Sequence, residues 1–285
     1  MSGRTGPGWV RAGVARGGIE LRQTLTNGMD LWTHLFPVLL VVGTVFFMRD
    51  ATVPGTDFSL GASTLPGLLG LNLAFAGLVS SAQYLVVDRE DGTLLRAKAT
   101  PNGMPGYLIG KIVMLGGIAL AGFVVQLLAA LLIVDGVRLD TAGWLTLLWV
   151  VPLALIATMP VGAILGSLFD SPRDLAMITF GLFGVVAISG VFYPITSLPG
   201  WMQTVAQAFP IYWVGLGTRS AFLPDALAAV EIGGSWRHLE TLGVLGAWAV
   251  LGLALAPSVL RRMARRESGS AVAERRERAM TRMGV

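Results

Sequence analysis

Long apolar runs alternate with short polar segments along most of the chain, and this pattern predicts an all-α, polytopic membrane protein. Runs of about 18 residues or more are long enough to cross a hydrocarbon core of about 30 Å as helices. The six predicted transmembrane helices cover residues 31–48, 65–87, 112–134, 143–169, 175–192 and 241–260. None of these runs contains Asp, Glu, Lys or Arg, so no span offers the buried ionisable group that ion-coupled carriers usually need.

The first 30 residues carry arginines between apolar side chains. Ile19, Arg22, Gln23 and Thr26 fall at helical spacing, which predicts an amphipathic helix in the cytoplasmic interface over residues 14–28. Residues 1–8 are expected to be a disordered basic leader.

A second unusual segment precedes the last span. Residues 193–214 are apolar and aromatic, but Pro and Gly interrupt them too often for a spanning helix. This pattern predicts a re-entrant or interfacial helical hairpin on the outer face, where protein or water covers irregular backbone. Trp201, Tyr212 and Trp213 are expected at the depth of the lipid headgroups.

Composition supports the membrane assignment, because only 13% of the residues are charged against about 25% in soluble domains. The chain has no cysteine, which excludes disulfides and thiol catalysis. A net charge of +4 could suit a nucleic-acid partner, but the basic residues border apolar runs and topology explains them better. No nucleic-acid partner is therefore expected.

The distribution of basic residues predicts the orientation. All but four of the 21 Lys and Arg residues fall on one side of the six-span arrangement, and that side is expected to be cytoplasmic. Both termini, including the basic tail at residues 261–285, are then predicted to lie inside, with the protein in the cytoplasmic (inner) membrane.

The loop at residues 88–111 is the most charged connection between spans. It carries Arg89, Arg96, Lys98 and Lys111. The acidic side chains of Glu90 and Asp91 stabilise the positively charged N-terminal end of a short helix predicted within residues 88–101. Thr100-Pro101 would end this helix. A short charged helix in a cytoplasmic loop is typical of a docking element.

This loop resembles a known family through Arg-Glu-Asp-Gly-Thr-Leu-Leu-Arg, then Thr-Pro, then Gly-Lys entering an apolar run. The Phe-Tyr-Pro, Leu-Pro-x-Trp and Pro-Ile-Tyr series of the outer segment resembles the same family. The family is that of the permease subunits of type-2 ABC (ABC-2) exporters, which includes daunorubicin-resistance-like and polysaccharide or lipid-carrier exporters. The resemblance implies an elbow helix within residues 1–30, a transmembrane domain over residues 31–260 and a coupling helix in the loop.

The resemblance also implies a function and partners. The chain would export a drug, lipid or glycan-lipid, powered by a separate ABC ATPase subunit, beside a second permease chain and in contact with membrane lipid. A homodimer of permeases is the simpler hypothesis, and a heterodimer stays open. The alternative, from another class, is an integral-membrane lipid-handling enzyme or scaffold; a neighbouring reading frame that encodes an ATPase would favour the transporter.

Two sets of candidate site residues follow. Charged groups of the loop can make charge-assisted hydrogen bonds to the ATPase, its glycine lets backbones approach, and its leucines can fill an apolar notch. The predicted docking residues are Arg89, Glu90, Asp91, Gly92, Thr93, Leu94 and Leu95. The alternative that these charges only fix topology is weaker, because positive-inside sorting gives no reason for Glu90, Asp91, Gly92 and Thr93.

The second set consists of amides inside the spans. Asn72, Gln83 and Gln126 could make polar contacts along a substrate path, or could only bond neighbouring helices, which is the commoner reason for such residues. Both interpretations stay open.

The chain is not expected to bind ATP or to catalyse a reaction by itself. Gly110-Lys111 lacks the first glycine of a phosphate-binding loop, and Ile112 replaces its Ser or Thr. His34 and His238 are predicted on opposite sides of the membrane and so cannot share a metal. No cofactor is expected here, and ATP and Mg²⁺ would bind to the partner subunit.

Overall fold

The computed structural model describes residues 8–48, 60–133, 139–169 and 171–266, together with residues 268 and 270. In this part of the chain the regular elements are all helical. The α-helices are α1 (Gly8–Thr26), α2 (Gly28–Met48), α3 (Leu60–Phe75), α4 (Ser81–Glu90), α5 (Thr93–Lys98), α6 (Gly103–Ile133), α7 (Thr141–Ser167), α8 (Pro172–Ile188), α9 (Gly200–Ala208), α10 (Pro210–Phe222) and α11 (His238–Arg266). A π-helical turn, Ala76–Ser80, joins α3 to α4, and short 3₁₀ turns cover Ile195–Ser197, Asp225–Val230 and Ile232–Gly234.

The all-α polytopic prediction is confirmed. Within the described residues, five helices are long and apolar enough to cross a membrane: α2, the continuous α3–α4 helix, α6, α7 and α11. The predicted fifth span corresponds to α8, which has only 17 residues and is about 25 Å long at 1.5 Å per residue. The count of six spans therefore stays a prediction.

Several predicted segments lie outside the described residues. These are the leader at residues 1–7, most of the first outer loop (49–59), the outer turn at 134–138, Asp170 and nearly all of the tail beyond residue 266.

The predicted amphipathic helix is present as α1, and it begins earlier than expected, at Gly8. Ile19 is exposed, whereas Gly13 and Gly17 are buried against α6. A Cβ atom on Gly13 would lie 2.7 Å from the Gly106 carbonyl oxygen, and one on Gly17 would collide with the Gly110 carbonyl. The two glycine pairs thus bring the backbones of α1 and α6 together.

Helix α7 occupies the centre of the fold, where it contacts α3, α4, α10 and α11. Its Gly162 and Gly166 form a small-residue pair, four residues apart, of the kind that favours close helix packing. A Cβ on Gly162 would lie 2.6 Å from the Gly77 carbonyl oxygen, and one on Gly166 would lie 2.8 Å from the Ala82 Cα. The pair therefore packs directly on the backbone of the π turn and α4, as expected.

The predicted hairpin before the last span corresponds to α9 and α10, and two of its three predicted interfacial aromatics face the protein interior. Tyr212 and Trp213 are fully buried within the chain, and only Trp201 is well exposed. The reason is that α10 packs between α3 and α7, where Gly70 faces Gly215 and Gly217 faces Val150. Glycines at these contacts let α10 enter the core, so its aromatic side chains fill protein space instead of facing headgroups.

Candidate functional site

A cavity of about 540 Å³ lies between α2, the α3–α4 helix and α6. Its size falls within the range of about 300–1,000 Å³ that is usual for small-molecule sites. All three amides predicted from the sequence, Asn72, Gln83 and Gln126, line this one cavity. Most of the remaining lining is apolar, from residues such as Leu73, Phe75 and Phe123, so the surface suits a largely hydrophobic ligand.

Asn72 and Gln126 close one end of the cavity. The Asn72 amide Nδ2 donates to Gln126 Oε1 at 3.4 Å and to the Leu68 carbonyl at 3.1 Å. Beyond Gln126 the space between the same helices shrinks to about 10 Å³, lined by apolar residues such as Val45 and Leu65. The amide pair therefore stands where a wide cavity meets a narrow apolar gap.

The opposite end of the cavity carries His34 and Tyr84. His34 Nε2 lies 3.0 Å from the Tyr84 hydroxyl, and Val87 and Leu31 line the cavity beside them. The partner of His34 is thus 50 residues away in the chain. Gln83, on the same turn of α4 as Tyr84, is exposed.

The π turn determines which side chains face this cavity. Ala76, Val79 and Ser80 line it, while Gly77 faces α7 so closely that a Cβ there would collide with the Thr158 side chain. A π turn holds one more residue than an α turn and changes the direction of every later side chain, and such turns are frequent at functional sites. The sequence of Ala76–Ser80 contains no proline or other signal that would have predicted it.

Charged and tyrosine side chains from α1, α4 and α6 meet near Tyr84, in the wall of the cavity. We call Arg16, Glu20, Asp88, Tyr107 and Lys111 the loop-side cluster. Arg16 Nε donates to Glu20 Oε1 at 2.7 Å, and the Tyr107 hydroxyl donates to Asp88 Oδ2 at 2.6 Å. Lys111 bridges the two carboxylates.

Sequence reasoning missed this cluster, although one signal was present. Glu20 is the only acidic residue before Asp30, and it stands four residues after Arg16. Burial by itself would raise the pKa of Glu20, but the hydrogen bond from Arg16 and the charge of Lys111 outweigh it, so this pKa is lowered. Glu20 is therefore held as a carboxylate.

The predicted short helix in the loop is α5, and the sequence explains how it begins. Gly92 has φ +79°, a left-handed conformation that L side chains adopt only with strain, so glycine is needed at this turn. Asp91 Oδ1 accepts a hydrogen bond from the Thr93 backbone N–H at 2.7 Å, and Arg96 Nη2 donates to Thr93 Oγ1 at 2.9 Å. The loop is thus closed by its own side chains.

Two of the predicted docking residues, Arg89 and Leu94, are turned inward in the chain. Arg89 is only 8% exposed, and its Nη1 donates to the Phe169 carbonyl at 2.7 Å, just after α7. Leu94 is 1% exposed and packs in a core cluster with Tyr107 and Leu260. A buried charge and a buried leucine both need protein partners. These contacts of Arg89 and Leu94 therefore hold the loop against the spans.

The remaining predicted docking residues are distributed differently. Asp91 is exposed, Glu90, Thr93 and Leu95 are half-buried, and Gly92 is buried. Lys98, at the end of α5, donates to the Arg265 carbonyl at 3.4 Å, so α5 also touches the last turn of α11. The solvent-facing surface of the loop is therefore formed by α5 together with Glu90 and Asp91, which precede it.

Comparison with known proteins gives one match and one negative result. The model of a family described as ABC-2 family transporter protein matches residues 56–256, which is more than two thirds of the chain. The matched range includes the π turn, the loop with α5, and the α9–α10 hairpin. Among curated proteins, none matches the chain significantly.

Proposed function

The chain belongs to the ABC-2 family of transporter proteins, and from that premise we propose that it is the permease subunit of an ATP-driven exporter. It would move a hydrophobic or amphipathic cargo, of the drug, lipid or glycan-lipid class, outward across the cytoplasmic membrane. A separate ATPase subunit would supply the energy, and this chain would contribute no catalytic residue. Within the family, a daunorubicin-resistance-like subgroup stays a prediction.

The observation that carries this proposal is the cavity between α2, α3–α4 and α6. It is mostly apolar, and polar groups line it at few positions, with Asn72 and Gln126 at one end and His34 and Tyr84 at the other. Such a lining favours a ligand with a large apolar surface and a small number of hydrogen-bonding groups. The described spans offer no carboxylate or ammonium group to the cavity, which argues against a small ionic cargo.

The 88–111 loop supports a partner ATPase. Its exposed face carries Asp91 and Arg96, with Leu95 half-buried between them, and this mixture of charges around an apolar side chain suits a protein interface. On the opposite side of the loop, Arg89 bonds the Phe169 carbonyl after α7 and Leu94 packs near Leu260 of α11. A force applied to α5 would therefore reach α7 and α11 instead of bending a loose segment.

We further infer that two permease chains and two ATPase subunits form the transporter, with both permease termini in the cytoplasm. The cavity of one chain lies on one side of α2. A transport path that is closed to lipid would need additional walls from a second permease chain. A homodimer is the simplest arrangement.

The test uses the complex of the tagged chain with its ATPase subunit, purified and placed in lipid vesicles. Asn72→Ala and Gln126→Ala should each raise the half-saturating concentration of a fluorescent phospholipid analogue by about 2- to 10-fold in ATPase stimulation, since one hydrogen bond contributes about 0.5–1.5 kcal/mol. Gln203→Ala is the matched control, because this glutamine also bonds a backbone carbonyl, that of Leu198, but does not line the cavity.

Two results would contradict the proposal. Purification without any ATPase subunit would exclude an ATP-driven permease. If ATPase stimulation is unchanged in both amide variants, with daunorubicin as well as with the lipid analogue, Asn72 and Gln126 only pack. That result would contradict the assignment of this cavity as the cargo site.

A further inference from the structure

Lys111 is the point at which three separate helices meet. Its Nζ atom lies 2.9 Å from Asp88 Oδ2 at the end of α4 and 3.2 Å from Glu20 Oε2 on α1, while the residue itself belongs to α6. The Lys111 side chain is 14% exposed, so most of its ammonium group is removed from water. A cation in this position needs both carboxylates, because an unpaired buried charge is costly.

The surroundings of the ammonium group fix its position further. The rings of Tyr84 and Tyr107 lie 5.4 Å and 5.8 Å from Lys111 Nζ, within the distance at which a ring face attracts a cation. Tyr107 also bonds Asp88. Positive-inside topology explains a lysine at this end of α6, but it explains neither two carboxylates nor two rings around it.

Two further contacts connect this point to the rest of the molecule. Asp88 stands three residues before Asp91, where the turn into α5 begins. Tyr84 stands one helical turn before Asp88, and its hydroxyl is bonded to His34 in the wall of the cavity. The backbone leads from the α5 turn to Asp88, and direct contacts then run from Asp88 through Lys111 and Tyr84 to His34.

We propose that Lys111 is a positioning residue for transport, which holds α1 and α4 on α6 so that movement of α5 is passed to the cavity wall at Tyr84 and His34. This inference rests on the proposed function, since it assumes an ATPase that moves α5. The close glycine contacts between α1 and α6 make these two helices a firm base. Without the ammonium group, Asp88 and Glu20 would repel each other, and the end of α4 would no longer be held on α6. A contiguous network of contacts such as this one can couple two sites when the conformation of each site depends on the network.

The test measures the cavity wall directly and needs no knowledge of the cargo. Because the chain has no cysteine, Val87→Cys gives a single thiol on α4 beside the cavity. In the purified complex with its ATPase, a non-hydrolysable ATP analogue should change the labelling rate of this thiol by about 5-fold or more, a typical size for coupling between sites. In Val87→Cys/Lys111→Met the analogue should leave the labelling rate unchanged, while the ATPase subunit stays bound.

Three further variants separate positioning from general damage. Lys111→Arg keeps the positive charge and should restore most of the response. Asp88→Asn keeps the size of the side chain and should weaken the response even if Lys111→Met does not fold. Arg22→Met removes one positive charge from the exposed face of α1 and should respond like the parent.

The outcomes distinguish the two proposals. If no ATPase subunit accompanies the chain, the proposed function fails, and this inference fails with it. If the ATPase binds and the analogue changes labelling equally in the parent, Lys111→Met and Asp88→Asn, the proposed function stands and the role of Lys111 is wrong.

Discussion

Among the described residues, two groups of largely buried, mutually bonded charges are built in opposite ways. The loop-side cluster joins α1, α4 and α6, and its members are 22% exposed at Glu20 and 14% at Lys111. The hairpin ion pair joins Arg219 of α10 to Glu231, only 12 residues later, and these side chains are 6% and 4% exposed. The first group connects distant segments and is partly exposed at Arg16 and Glu20, although Asp88 is buried, whereas the second connects neighbouring segments and is buried at both members.

The two groups also differ in how completely they are bonded. In the loop-side cluster, Asp88 Oδ2 accepts a hydrogen bond from the Tyr107 hydroxyl and forms an ion pair with Lys111. In the hairpin pair, Arg219 Nε donates to Glu231 Oε1 at 2.8 Å, while Arg219 Nη1 and Nη2 and Glu231 Oε2 have no hydrogen-bond partner among the described residues. Charges near water can separate and re-form at moderate cost, whereas deeply buried ones cannot. We therefore expect motion at the loop side and rigidity at the hairpin.

The largest effect is expected from breaking the hairpin ion pair. Arg219→Met or Glu231→Leu alone should lower the free energy of unfolding by about 3–5 kcal/mol, because each leaves an uncompensated buried charge. The double variant should be more stable than either single variant, since apolar side chains of similar size can replace a buried pair. Thermal denaturation in detergent, followed as loss of monodisperse protein, measures this, and a double variant worse than both singles would contradict it.

An intermediate effect is expected from separating α1 from α6, which would also pull Glu20 away from Lys111. Gly17→Ala should destabilise the protein by about 1–3 kcal/mol, the usual cost of overpacking, because its Cβ would collide with the Gly110 carbonyl. The neighbouring Gly18 has open space around it, so Gly18→Ala is a matched control that should be neutral or stabilising. Limited proteolysis of α1 together with thermal denaturation measures both, and equal behaviour of the two variants would count against the glycine contact.

The smallest effect is expected from Glu20→Gln, which should cost about 1 kcal/mol or less because the pair is partly exposed. Since the pKa of Glu20 is lowered in the folded protein, its contribution is present above the ordinary pKa of a glutamate and is lost as the pH falls through the lowered value. The difference in melting temperature between parent and variant should therefore be present at neutral pH and vanish in acid. A difference that persisted in acid would show that Glu20 acts through packing and not through charge.

Periodicity and composition predicted the helices well, because lipid solvation acts on each segment separately. Five of the six predicted spans correspond to long apolar helices, and helices α1, α5, α9 and α10 are present in the segments where helices outside the spans were predicted. Asn72, Gln83 and Gln126 could be selected because polar side chains inside apolar runs are rare. That they share one cavity could not be predicted, since it depends on the packing of α2 against α6.

The remaining features depend on contacts between residues far apart in the chain. Arg89 and Leu94 read as exposed loop residues, yet Phe169 and Leu260 bury them. Tyr212 and Trp213 read as interfacial aromatics, yet the glycines around α10 admit them to the core. Lys111 has its carboxylates on two other helices, and no local spacing could reveal that arrangement.

The π turn at Ala76–Ser80 has a consequence for how this protein can evolve. Because it holds one residue more than a regular turn, every side chain after Ser80 is rotated by about 100° relative to an uninterrupted α-helix. Gln83, Tyr84 and Asp88 all lie after it, so loss of one codon within the turn would rotate all three away from their present neighbours at once. Point substitutions can alter these positions only one at a time, whereas an insertion or deletion of a single codon reassigns the cavity wall and the carboxylate partner of Lys111 in one genetic step.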